Sequence, residues 1–228
     1  MSVLPPSAKK LFITAGLLAA AGRLDAQMPG VPTLQNAWAN PGITAAVNAG
    51  MGGGSRAFAA AAAWAPRSGR FQLSAGGGLR QADDVGNGPA FGARLALPIW
   101  SFAGGAFGVA GFVGVGAARE PDREVLNERG GIAAQVPIGA AIGYRRAFSF
   151  IRGASVYGAP FYALNRVSVG DSSWSKGSFR FSVGTDVGIT NRIGVTAGAE
   201  FGSSAAAGEP GPTGAVYGVG VSMALGRR

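Results

Sequence analysis

The sequence predicts an all-β fold: an antiparallel up-and-down transmembrane β-barrel of about ten strands, preceded by a cleavable signal peptide. Three observations predict it. Ten stretches of about nine to twelve residues alternate apolar side chains with tiny or polar ones, the period of two that gives a strand one greasy face. Glycine supplies 40 of 228 residues and charged residues only 14%, against about 25% charged in typical soluble domains. The connections between the stretches alternate between short and long.

At the N-terminus, Lys9 and Lys10 precede an uncharged apolar run from Leu11 to Ala21, and small Ala26 stands before Gln27. This pattern reads as a signal peptide over 1–26, its apolar run being short of the ~20 residues a membrane-spanning helix needs. Residues 27–42, rich in proline, read as a periplasmic lead segment, and 43–228 as the barrel. Strands are expected at Ile43 to Met51, Arg56 to Trp64, Phe71 to Leu79, Phe91 to Ile99 and Phe107 to Ala117. The other five are expected at Ile132 to Tyr144, Phe150 to Phe161, Phe179 to Ile189, Ile193 to Phe201 and Tyr217 to Leu225.

Outer-membrane barrels have an even strand count, short periplasmic turns and longer outer loops. The even connections here are short: Pro66 to Gly69, Ser101 to Gly105, Arg145 to Ala147 and Thr190 to Arg192. Four odd ones read as long, Gln81 to Gly88, Arg119 to Gly131, Leu164 to Lys176 and Ser203 to Thr213, and Gly52 to Ser55 is brief. Turns and loops therefore fall at opposite ends. A soluble β-sandwich would share the alternation, but the second face holds too much Gly and Ala for a solvated exterior. The uncharged stretch Leu95 to Ala118 imitates a helical span, yet Pro98 and its closely spaced glycines make a poor helix, and a hairpin at Ser101 to Gly105 fits better.

Trp64, Phe71, Trp100, Tyr144 and Phe148, with Phe102, cluster near strand ends on the short-turn side, where an interfacial aromatic girdle belongs. Arg80, Arg94, Arg180, Asp186 and Glu200 fall on the face assigned to the lumen. Facing lipid at mid-membrane, an arginine would cost about 2–4 kcal/mol, so these charges are expected inward and paired. A turn at Thr190 to Arg192 sets Glu200 opposite Ser182 and diagonal to Arg180, predicting an Arg180 to Glu200 ion pair. Arg152 breaks the alternation unless a bulge lies near Phe150 or Ile151. Glycine is poor in ordinary strands, so its abundance on the inner face suggests a crowded lumen.

With leader, alternation and turn asymmetry together, Ile43 to Leu225 resembles the small outer-membrane barrel proteins of the OmpA, OmpX and opacity type. The likeness is one of pattern. In that family the last strand commonly ends in an aromatic residue that the assembly machinery recognises; Tyr217 to Leu225 has the matching alternation, while Gly226-Arg227-Arg228 departs from it. The resemblance implies a bacterial outer-membrane location.

The chain has no histidine and no cysteine. The usual neutral-pH general base, a common metal ligand, thiolate sites and a Ser-His-Asp arrangement are thereby removed. Histidine-dependent barrel proteases, phospholipases and acyltransferases are not matched, and an enzyme would have to use a site such as Asp186 with Ser182. Glycine strings such as Gly50 to Gly54 lack the Lys-Ser/Thr ending of a phosphate loop. The acids Glu120, Asp122, Glu124 and Glu128 stand among Arg119, Arg123 and Arg129, a self-paired loop in preference to a cation site. No catalytic, cofactor or metal residues are assigned.

Removing Lys9, Lys10 and Arg23 together with Asp25 lowers the formal charge from +9 to +7. The arginines are dispersed among turns and strands, which suits anionic lipid better than nucleic acid. The expectation is therefore a monomeric, non-catalytic envelope protein with a structural, envelope-integrity or adhesive role. Its partners would be outer-membrane lipids, the assembly machinery and an extracellular ligand or cell-wall polymer. Trp174, in an outer loop, is the candidate contact. The alternative is a small narrow pore.

Overall fold

The structure is a computed structural model that describes residues 36–52, 55–82, 86–119, 131–169, 171–202 and 215–225. The expected signal peptide, the acidic loop and the loop from Ser203 to Thr213 lie outside the described residues.

Ten strands follow in chain order: β1 (Gly42–Gly52), β2 (Ser55–Ala65), β3 (Gln72–Ala82), β4 (Gly86–Phe102), β5 (Phe107–Arg119), β6 (Gly131–Arg146), β7 (Gly153–Val169), β8 (Ser172–Gly188), β9 (Ile193–Gly202) and β10 (Val216–Leu225). Every strand pairs antiparallel with its sequence neighbours, and β1 pairs with β10 from Ile43 opposite Leu225 to Met51 opposite Tyr217. The sheet thus closes into a barrel, which removes the seam edge that an open sheet would leave unpaired.

Alternation decides which side chains go where. Along β2, Ala57, Ala59, Ala61, Ala63 and Ala65 are buried, while Arg56, Phe58, Ala60, Ala62 and Trp64 face out. Alanine is a weak strand former, but small side chains are what a narrow interior can accept. Outside, Val47, Phe58, Phe91, Ile138 and Phe179 are each more than half exposed. Inside, Arg94, Arg180, Asp186 and Glu200 are buried. This partition is the reverse of a water-soluble protein's, and a continuous apolar exterior is stable only against another apolar phase.

Several expected boundaries are corrected. Strand β4 continues past Ile99 to Phe102, with its register shifting between Pro98 and Trp100 where a bulge accommodates the proline. Strand β7 begins at Gly153, not Phe150, and runs to Val169; β8 begins at Ser172, not Phe179. The presumed loop Leu164 to Lys176 is therefore mostly ladder, with Arg166 opposite Ser175 and Val167 opposite Trp174. The presumed loop Gln81 to Gly88 shrinks likewise, since Gln81 pairs with Asn87. Polar residues such as Asn165, Arg166, Ser173, Ser175 and Lys176 interrupt the apolar alternation in these arms, so hydropathy did not mark them.

Arg152 needs no bulge. It precedes β7, its N–H donates to Gly188 O at 2.8 Å, and it is exposed at the short-turn mouth.

Candidate functional site

With the wall turned apolar side out, chemistry is concentrated in the lumen, which divides into two lanes. Along β4 to β7, Ala96, Phe112, Ala141, Ala159, Phe161 and Ala163 form an apolar lane. The Phe112 and Phe161 rings lie 6.0 Å apart and tilted by 59°. Along β8, β9, β10 and β1, the buried Ser182, Asp186, Thr196, Glu200, Ser222 and Asn48 form a polar lane. It opens at the short-turn mouth into a cavity of about 310 Å³ whose lining includes Asn40, Thr44, Arg152, Asp186, Arg192 and Ser222.

The charges expected in the lumen separate into distinct places. The β8–β9 hairpin keeps its register, so Ser182 stands opposite Glu200 and Arg180 opposite Gly202. The Arg180 guanidinium then reaches Glu200 at 2.7 Å, with both side chains about nine-tenths buried or more. Arg94 is buried on β4 and Arg80 half-buried on β3, on the wall opposite β8 and β9. Asp186 is not in that ion pair. Its Oδ2 accepts from Ser155 Oγ at 3.2 Å and from Asn36 Nδ2, and its Oδ1 accepts from Thr196 Oγ1. The hydroxyls beside it are therefore Ser155 and Thr196. Ser182, the partner suggested for an enzyme, is fully buried across from Glu200, and its hydroxyl makes no hydrogen bond among the described residues.

Asn36 and Trp38 belong to a feature that sequence reasoning missed. The segment expected as a periplasmic lead is described from Asn36, and there it enters the barrel: Asn36, Ala37 and Trp38 are all buried. Asn36 uses both halves of its amide. Oδ1 accepts from Trp38 N–H at 3.1 Å, bending the segment on itself, and Nδ2 donates to Asp186. The Trp38 ring packs into the apolar lane and fills notches at Gly108 and Gly143, where a Cβ would fall 2.9 and 2.7 Å from it. The Arg145 guanidinium lies 4.9 Å from the ring centroid, close enough for a cation–π contact, while Arg145 Nε donates to Gly105 O. The only hint in the sequence was a lone Trp with Asn two residues earlier, directly before β1.

Girdle residues face outward in contact with one another. Trp64 meets Phe71 edge-on at 5.5 Å. A chain of rings runs from Trp100 through Phe102 and Phe107 to Tyr144, and Phe148 adjoins Phe150. Trp174 is corrected: it lies in β8 and is half-buried, because the hairpin arms continue beyond Arg180. Among the described residues, no group of three or more His, Cys, Asp or Glu is placed to hold a metal ion.

Fold and site together define a closed antiparallel β-barrel with an apolar exterior and a filled, partly charged interior. No protein-family model matches the chain, and no curated protein matches it. Among solved structures it is similar to the translocator domain of the autotransporter NalP from Neisseria meningitidis, at 13% identity and a TM-score of 0.47, covering 79% of this chain and 86% of that one.

Proposed function

We propose that the chain is a non-catalytic barrel of the bacterial outer membrane, of the small OmpA, OmpX and opacity-like kind. It acts as a monomer in a structural, envelope-integrity or adhesive role through its outer hairpins. One observation carries the reading: large apolar side chains cover the exterior, aromatic rings collect at the short-turn end, and Arg94, Arg180, Asp186 and Glu200 are withdrawn inside. A lumen occupied by Phe112, Phe161 and Trp38 supports a wall function over general diffusion. Lipid is the partner of the belt, the assembly machinery the partner of the emerging chain, and an extracellular ligand or cell-wall polymer the partner of the loops.

The test is envelope fractionation combined with gel mobility of boiled and unboiled protein in detergent. Recovery in the outer membrane with a heat-dependent mobility change is expected. A soluble periplasmic protein of unchanged mobility would refute the proposal.

The polar lane and its mouth cavity favour one second reading, a small pore. It requires single-channel steps in planar bilayers that change when Arg94 or Arg180 is neutralised. Silence under all voltages would remove it.

A further inference from the structure

The chain's own residues 36–38 sit in the short-turn mouth in the way a bound peptide sits in a receptor. Two parts of the wall contribute: β7, β8 and β9 supply Ser155, Asp186 and Thr196 around the Asn36 amide, and β5 and β6 supply the glycine notches together with Arg145, which covers the indole. The chemistry is selective at each point. Asp186 accepts from an amide nitrogen and would repel a carboxylate in its place. The Asn36 oxygen holds Trp38 N–H, which fixes the indole two residues on. Gly108 and Gly143 leave room for a flat ring that any side chain at either position would displace.

We infer that the short-turn mouth is a recognition socket for a peptide segment carrying an asparagine and, two residues later, a tryptophan, and that residues 36–38 occupy it in cis as a releasable clasp. Seated, the clasp covers Asp186 and blocks the apolar lane. Released, it leaves the socket open to the same sequence in trans. The inference rests on the lumen geometry and stands apart from the envelope role proposed above.

The chain has four tryptophans, so Trp64→Phe, Trp100→Phe and Trp174→Phe leave Trp38 as the sole reporter in the full-length protein. Acrylamide quenching of that protein is expected to be at least threefold weaker than for free N-acetyltryptophanamide. Asn36→Asp, isosteric but facing Asp186 with a second carboxylate, must raise quenching at least threefold while heat-dependent gel mobility is retained. The exchanged pair Asn36→Asp with Asp186→Asn must restore protection, because the amide then donates from the other side. Gly143→Leu, which fills the notch without touching Asp186, must release the indole independently and serves if Asn36→Asp does not fold.

A fluorescein-labelled peptide of residues 35–41 must bind the Asn36→Asp chain, read as a rise in anisotropy, and not the unmutated one. Free quenching of Trp38 in the parent, or protection unchanged by Asn36→Asp and Gly143→Leu alike, would overturn the proposal. So would failure of the exchanged pair to restore protection in a folded barrel, or no peptide binding to the released form.

Discussion

Glu200→Gln is the perturbation that tests the lumen electrostatics most directly. The substitution keeps the side chain's shape and removes its charge, leaving the Arg180 guanidinium buried against the amide. At 2.7 Å and an effective dielectric of ~20, the lost attraction is about 6 kcal/mol. Part of it had offset the desolvation of two ions, so the net cost of breaking the pair from one side is about 3–5 kcal/mol. Burial on both sides justifies that range, since the remaining charge cannot be rehydrated without opening the wall. Equilibrium urea unfolding in detergent, followed by tryptophan fluorescence and gel mobility, measures it. The apolar double substitution Arg180→Met with Glu200→Leu removes both charges and is expected to cost less than Glu200→Gln alone. A single-mutant cost below about 1 kcal/mol, or singles that simply add in the double, would show that the pair is hydrated and that the dry-lumen reasoning fails.

Three further outcomes follow from the same structure. Val113 faces out in the middle of β5 between Leu95 and Ile138, so Val113→Arg is expected to destabilise the folded barrel by about 2–4 kcal/mol in lipid vesicles, measured by urea titration; no cost would place this face away from the bilayer. Gly139→Ala would drive a methyl into Phe161 Cβ and Pro160 O, an overpacking worth about 1–3 kcal/mol in the same assay, and an unchanged midpoint would mean that the β6–β7 wall yields freely. Trp174→Ala, on the arm beyond Arg180, is expected to change stability by less than about 1 kcal/mol while reducing attachment of cells displaying the protein; a loss above 2 kcal/mol would make Trp174 a packing residue and not a contact.

All ten strands were legible, because a strand in a barrel wall with an apolar exterior presents apolar side chains at every second position, and Val219, Val221, Met223 and Leu225 do so around Gly220, Ser222 and Ala224. What was not legible is where those strands stop. Ser172 to Lys176 carries no apolar face, yet it pairs residue by residue with Val169 to Asn165. Backbone hydrogen bonding continues a hairpin wherever its partner continues, and that information resides in the pair and not in either strand alone. The Arg152 conflict had the same origin: strict alternation was carried back into residues that precede the ladder.

The candidate site divides along a similar line. Arg180 and Glu200 were readable as partners because one tight turn fixes the register of the two strands that carry them. Asn36 and Asp186 stand 150 residues apart, and no single turn encodes their meeting. It depends on closure of β1 onto β10, which returns the start of the chain to the mouth that β8 and β9 also reach. Glycines on the inner face were read as signs of crowding, and at Gly108 and Gly143 that is right in kind. The crowding element there is the indole of the chain's own lead. A glycine in a strand reports that something approaches, but only the closed barrel says what.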